Sequence, residues 1–144
     1  MGRQTAEQIE ALLRGRGFSL TPQRRAIVRH LVERPGHWTA TELLEGLTGD
    51  FPLASRATVY CTLTLLRDLG VVSALPGPGG EARYDANPEP HQHFLCTRCG
   101  ELEDVPPAWF PVSVHPDAEG RFRVEHFRVV AEGFCSTCRA RQTP

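Results

Sequence analysis

Two pairs of cysteines, Cys96-Thr97-Arg98-Cys99 and Cys135-Ser136-Thr137-Cys138, flank the segment 100–134. Each pair can hold two thiolates on one tight turn, and two such turns facing each other complete a tetrahedral sulfur shell for Zn²⁺. A closed four-sulfur shell leaves no position for substrate, so this zinc is expected to be structural, one ion per subunit. Disulfides are the competing reading. A second group of residues offers different donors. Asp85, His91, His93 and Asp104 cluster around the first cysteine pair, and His37 sits in a turn further upstream. His91-Gln92-His93 puts both rings on one face if the chain is extended there. Imidazoles with carboxylates form a nitrogen and oxygen set suited to Mn²⁺, Fe²⁺ or Zn²⁺. Taken one at a time, Asp85 can simply end a hairpin, Asp104 can lie on the surface and His37 can close a turn.

The elements that must position these groups have two textures. Residues 5–69 read as four short helices with clear punctuation. Thr5 to Arg14 carries Ile9, Leu12 and Leu13 and ends near Gly15 and Gly17. Thr21-Pro22 is an N-cap followed by proline at the first helical position, opening a helix that Pro35-Gly36 ends. Thr39-x-x-Glu42 is a capping box heading a short helix with Leu43, Leu44 and Leu47. Ser55 caps a longer one, with Val59, Leu63, Leu66 and Leu69 on its buried stripe and Gly70 stopping it. Short strand-like runs at 71–74 and 82–85 bracket Pro76-Gly77-Pro78-Gly79-Gly80. Helices followed by a two-stranded hairpin make a winged helix-turn-helix. Beyond it, 93–105 and 122–134 read as strands, the second alternating through Phe122, Val124 and His126. The piece between, with Pro106, Pro107, Pro111 and Pro116, cannot be one regular helix.

In such an arrangement the helix from Ser55 reads DNA. Its first turns offer Ser55, Arg56, Thr58 and Tyr60 to base edges and phosphates of the major groove. Arg14, Arg16, Arg24 and Arg25, on the preceding segments, can hold the backbone. A merely solvated helix face is the plainer alternative. Net charge is −1 and all 16 basic residues are arginine, so no global field announces a nucleic-acid partner. No apolar run approaches the roughly 20 residues of a membrane span, and the N-terminus has no signal-peptide core. A cytoplasmic location, no membrane partner and reduced thiols are expected.

Four motifs, in order, carry a specific resemblance: Leu20-Thr21-Pro22-Gln23-Arg24, Ala57-Thr58-Val59-Tyr60, His91-x-His93-x-x-Cys96-x-x-Cys99, and Glu132-Gly133-Phe134-Cys135-x-x-Cys138. Together they resemble the ferric uptake regulator superfamily of metal-dependent repressors, over nearly everything from Thr5 to Cys138. The resemblance implies an α+β chain with a winged-helix DNA-binding domain at 1–84. A small α/β dimerisation and metal-binding domain at 85–144 follows, with a hinge at about 85–92. It implies a homodimer, not an enzyme, that binds an inverted-repeat operator when a regulatory metal is loaded. Cys96, Cys99, Cys135 and Cys138 then hold the structural zinc. His37, Asp85, His91, His93 and Asp104 hold one regulatory Fe²⁺ or Mn²⁺ per subunit. Three histidines with two aspartates is the pattern of the peroxide-sensing branch, and implies iron-catalysed oxidation of His37 or His91. An Fe²⁺ or Mn²⁺ uptake regulator without peroxide chemistry is the alternative.

Some positions depart from the family. Cys61 follows Tyr60 where relatives often carry a base-contacting arginine or asparagine. Pro90 and Gln92 replace ligands of a further metal site, so that site is expected to be absent and His126 structural. A zinc-dependent deaminase does not fit, because His91-Gln92-His93 lacks the glutamate such enzymes need. A purely structural zinc ribbon would explain the cysteines but leave the histidine and aspartate set without a role.

Overall fold

Short polar caps start each helix of the N-terminal half, and they do so in atomic detail. The structure, a computed structural model, describes residues 3–47 and 55–141. Helix α1 (Ala6–Gly15) opens on Thr5, whose hydroxyl accepts from the Gln8 amide at 3.2 Å while Gln8 reaches back to the Thr5 amide at 2.8 Å. Helix α2 (Pro22–Glu33) has Thr21 as cap and Pro22 at its first position. Strand β1 (Trp38–Thr39) leads into α3 (Ala40–Leu47), where Thr39 and Glu42 exchange bonds of 2.9 and 3.0 Å, the capping box expected from sequence. Ser55 caps α4 (Arg56–Asp68) through the Thr58 amide at 3.1 Å. Gly70, at φ 74, ends it in the left-handed conformation that glycine adopts without strain.

The apolar stripes of these helices meet in one core, built on Ile9, Leu13, Ile27, Leu31, Leu43, Val59, Leu63 and Leu66. Strands β2 (Ser73–Leu75) and β3 (Arg83–Asp85) form the wing hairpin. β1 joins it on the other side of β3, giving the antiparallel order β1-β3-β2 with Trp38 opposite Tyr84 and Ser73 opposite Asp85. Helices α3 and α4 with this hairpin are a winged helix-turn-helix. The two-residue strand β1 has no counterpart in the sequence reading.

The chain divides into two compact units, Met1–Glu89 and Pro90–Pro144. The second holds a sheet of order β5-β4-β6. Strands β4 (Gln92–Cys96) and β5 (Leu102–Val105) are antiparallel, with His93 opposite Asp104. The expected single strand at 93–105 is thus two, folded back at 97–101. β6 (Val130–Gly133) runs parallel to β4, with Cys96 opposite Gly133. The expected strand over 122–134 is confined to these last residues. Residues 122–129 pass without turn or bend. The Phe122 amide donates to the Ala118 carbonyl at 2.9 Å and the Val129 carbonyl accepts from the His93 amide at 3.0 Å, while 123–128 stand in no strand pairing among the described residues, and Phe122, Val124 and Phe127 are exposed. A strand sequence without a neighbouring ladder has no pairing to make within its own chain. The proline-rich stretch supplies only a 3-10 turn at Pro107–Trp109 and the short α5 (Pro116–Glu119). Helix α6 (Ser136–Ala140) closes the unit. Among the described residues no helix is long and apolar enough to cross a membrane.

Candidate metal centres and nucleic-acid interface

Cys96 ends β4 and Cys135 caps α6, so the parallel pairing of β4 with β6 brings the two cysteine turns together. Gly100, at φ 79, closes the first turn with its amide on the Cys96 carbonyl at 2.9 Å. Thr97 ties that turn to the other, its amide and hydroxyl donating to the Gly133 carbonyl at 2.8 and 3.1 Å. The four sulfurs all lie within 4.8 Å of one another, and Cys99 Sγ stands 3.8 Å from Cys135 Sγ. A tetrahedron with zinc–sulfur bonds of about 2.3 Å has edges of about 3.8 Å. The thiols are free rather than paired. Their acidities are split. Amide donation from Cys99 and then Cys135 takes Cys96 down to about 6. Burial, reinforced by the Cys135 sulfur, pushes Cys138 up to about 12. Four sulfurs this close become thiolates together only around a cation, and Zn²⁺ fits the donor type, the number and the spacing.

The nitrogen and oxygen donors fall into two sets, one in each unit. In the first, His37 precedes β1 and Asp85 ends β3, so the pairing of these two strands sets the His37 Nε2 3.6 Å from the Asp85 Oδ2. Asp85 is buried, and its other oxygen accepts from the Asn87 amide at 2.8 Å. In the second, His93 on β4 and His91 just before it turn to one side, as their spacing predicts. Their Nε2 atoms are 3.0 Å apart, and they lie 3.6 and 3.3 Å from Asp104 Oδ1 on the neighbouring strand. Two imidazole nitrogens and a carboxylate oxygen converging in this way are a ready-made set of divalent-cation ligands.

On α4, Arg56 and Tyr60 are exposed, while Ser55 and Thr58 spend their hydroxyls on each other and on the helix cap. Cys61 is exposed beside Tyr60. Arg14 and Arg16 are exposed at the end of α1, and Arg24 donates to the Ser19 carbonyl. Arg25 also pairs within the fold. With Arg29 it flanks Glu10, at 3.4 and 3.6 Å, neutralising a carboxylate that is 5% exposed. This pairing gives Arg25 a structural role as well, since burying Glu10 unpaired would be costly. His126 is exposed and lines a groove of about 690 Å³ with His91, Gln92 and Phe127. Two residues escaped the sequence reading. His30 is buried in the helical core, and Arg83 donates to the His37 carbonyl at 3.2 Å. His30 lies one turn after Ile27 on α2, but a single histidine in a helix gives no sign of its burial.

A winged helix-turn-helix in a chain that also carries a tetrathiolate cage and histidine–aspartate donors defines a metal-dependent DNA-binding regulator. Residues 15–109 match the ferric uptake regulator family. The peroxide-responsive repressor PerR of Staphylococcus aureus is 35% identical over 133 residues, which is 92% of this chain and 90% of the relative. The fold is shared with the Helicobacter pylori ferric uptake regulator Fur, at a TM-score of 0.75 and 20% identity over 96% of this chain and 97% of that one. A zinc uptake regulator solved with zinc and DNA superposes at a TM-score of 0.65, with 26% identity over 95% of this chain and 94% of its own. The chain belongs to the ferric uptake regulator family.

Proposed function

We propose that this protein is a homodimeric repressor that binds an inverted-repeat operator when a regulatory metal is loaded, and that it senses peroxide. Residues 1–84 are its DNA-binding domain, 85–144 its dimerisation and metal-binding domain, and 85–92 the hinge. Cys96, Cys99, Cys135 and Cys138 hold the structural Zn²⁺. His37, Asp85, His91, His93 and Asp104 together hold one Fe²⁺ or Mn²⁺ per subunit. Arg56 and Tyr60, with Ser55, Thr58, Arg14 and Arg24, face the operator. The observation that carries the reading is the donor set itself, three histidines and two aspartates. It is supported by the convergence of His91 and His93 on Asp104 and by the likeness to a peroxide-responsive repressor. The exposed segment 123–128, which stands in no strand pairing among the described residues, supports dimerisation, since its alternating side chains suit a second strand. The protein is a cytoplasmic regulator rather than an enzyme.

Ligands drawn from both domains make metal binding favour the domain arrangement that fits the operator. By linkage the metal shifts that equilibrium only by its differential affinity for the two arrangements. A preference of about 100-fold amounts to roughly 2.7 kcal/mol, ample for a genetic switch. Nitrogen and oxygen donors bind Zn²⁺ more tightly than Mn²⁺ or Fe²⁺, so cellular availability sets the occupant. Ferrous iron, when bound, supplies the electrons that peroxide takes up. His37 and His91, as ligands, would be the rings exposed to that oxidation, and an altered ring would ligate poorly.

The test is a gel shift with each metal, before and after stoichiometric peroxide, with peptide mass spectrometry. The Fe²⁺ form, but not the Mn²⁺ form, should lose operator binding and gain one oxygen on His37 or His91, with the four cysteines still reduced. Oxidised Cys96 or Cys99 with intact histidines would indicate thiol sensing instead. Neither oxidation nor loss of binding would leave an Fe²⁺ or Mn²⁺ uptake regulator, the reading that the same five ligands also support.

A further inference from the structure

Strand β3 does more than deliver Asp85. Residues 81, 83 and 85 alternate onto one side of the chain, and each meets a different part of the DNA-binding unit. The Glu81 carboxylate accepts from the Thr41 hydroxyl at 2.8 Å and from the Thr41 amide at 3.3 Å, in the first turn of α3. Arg83 donates through Nη1 to the His37 carbonyl at 3.2 Å, and the same nitrogen lies 3.8 Å from Glu42 Oε1. The other Glu42 oxygen accepts from the Thr39 amide at 2.9 Å, the cap that starts α3. Asp85 faces the His37 ring at 3.6 Å. Arg83 therefore touches the main chain of a metal ligand with the same guanidinium that meets the capping residue of the first helix-turn-helix helix. Its backbone is also paired with Thr39, between the two.

We propose that Arg83 is a positioning residue that fixes the His37–Asp85 pair to the start of α3, so that metal capture and operator binding are coupled through it. The inference rests on the reading of His37 and Asp85 as regulatory-metal ligands. A guanidinium suits the task because the two N–H bonds of its planar Nη1 are held in fixed directions, toward a carbonyl and a carboxylate together, whereas a lysine ammonium is a single point charge on a flexible stem. With Arg83 in place, His37 is held where Asp85 faces it before metal arrives, and a shift of the His37 segment on metal binding moves the cap of α3 with it. Without Arg83 the ligand segment and the helix can move separately. Partners that orient metal ligands typically account for 10–100-fold in metal affinity, and because coupling is reciprocal the same loss must appear in the DNA-binding response to metal.

The experiment uses full-length zinc-loaded protein, with Mn²⁺ as the probe metal and a DNA duplex selected by the parent protein from a random library. Mn²⁺ affinity is read by electron paramagnetic resonance, and duplex affinity is read with and without saturating Mn²⁺. Arg83→Met should lower Mn²⁺ affinity about tenfold and shrink the Mn²⁺-dependent gain in DNA affinity by a similar factor, with zinc content and thermal melting close to the parent's. Arg83→Lys should fall between them. Glu42→Gln should reduce the gain in the parent but change little in the Arg83→Met background. These last two variants carry the test if Arg83→Met folds poorly. Arg83→Met with the parent's Mn²⁺ affinity and gain would overturn the inference, as would full additivity of the Arg83 and Glu42 changes. Failure of the underlying reading would show earlier and differently, as a parent protein whose DNA affinity does not respond to Mn²⁺.

Discussion

The ring of His30 meets that of Trp38 edge to face, with centroids 4.6 Å apart and planes at 82°. Trp38 in turn donates its indole N–H to the Arg34 carbonyl at 3.1 Å, so the pair braces the loop that carries His37. Gly46 closes the other side: a Cβ there would come within 2.9 Å of the His30 ring. An imidazole packed this way is a core residue first, and its titration is a property of the fold.

Burial, and then the charge of Arg34, lowers the His30 pKa from its usual value near 6.5. The folded state therefore prefers the neutral ring, while the unfolded chain takes up a proton at about pH 6.5. The DNA-binding unit should lose stability as pH falls below about 6.5, until the pH passes the lower folded pKa and the loss is complete. Melting temperatures at pH 7.5 and 5.5, compared between the parent and His30→Phe, check this. The variant should have the flatter profile, and an equal slope in both proteins would assign the acid sensitivity to another group.

Removing one thiolate opens the sulfur cage. Cys96→Ser and Cys138→Ser should lose zinc and unfold the second unit or separate the dimer, because metal binding at such sites is folding free energy. Metal analysis together with circular dichroism reads both effects. Full zinc content in a stable dimer of either variant would remove the cage from the account.

Arg56→Ala and Tyr60→Ala should each weaken operator binding by about 1–3 kcal/mol while leaving both metals in place. Titrations at fixed salt would show it. Parent-like affinity in both variants would move recognition off α4.

A two-fold axis perpendicular to a pair of antiparallel strands must pass through a residue position, since facing side chains share one side of the sheet. We take segment 122–129 to pair with its copy about Val124, which sets Arg123 opposite Glu125 of the second copy twice. Centring on Arg123 or Glu125 would oppose like charges. Arg123→Glu and Glu125→Arg should therefore each weaken the homodimer, whereas a mixture of the two should form a heterodimer, as measured by analytical ultracentrifugation. Two variants that each dimerise like the parent would place the interface elsewhere.

Local capping chemistry made α2, α3 and α4 legible in sequence, since Thr21, the Thr39–Glu42 box and Ser55 each act on their own first turn, while α1 was legible from its apolar stripe. The cysteine turns were equally plain, because a two-residue spacing fixes what they can do. Strand β1 was not, since two residues carry no period. The split of 93–105 was hidden because the turn at Gly100 lies inside an otherwise strand-like run. The pairing of Arg25 with Glu10 was not legible, because a surface arginine on α2 gives no hint that Glu10, on α1, lies buried beneath it. The alternation of 122–129 is real as a pattern, yet a pattern specifies a face and not the strand that will cover it.

Strand β4 is five residues long, with His93 as its second residue and Cys96 as its last. Its parallel partner β6 leads directly to Cys135, and the register places His93 opposite Val130 and Cys96 opposite Gly133. On the proposed reading, one short stretch of backbone thus answers to two ions with different chemistry. Stripping the sulfur-bound ion would release the end of the strand that sets the histidines, so a protein starved of zinc should be deaf to iron and manganese. On the same reading the sulfur-bound ion supplies competence and the second ion the signal.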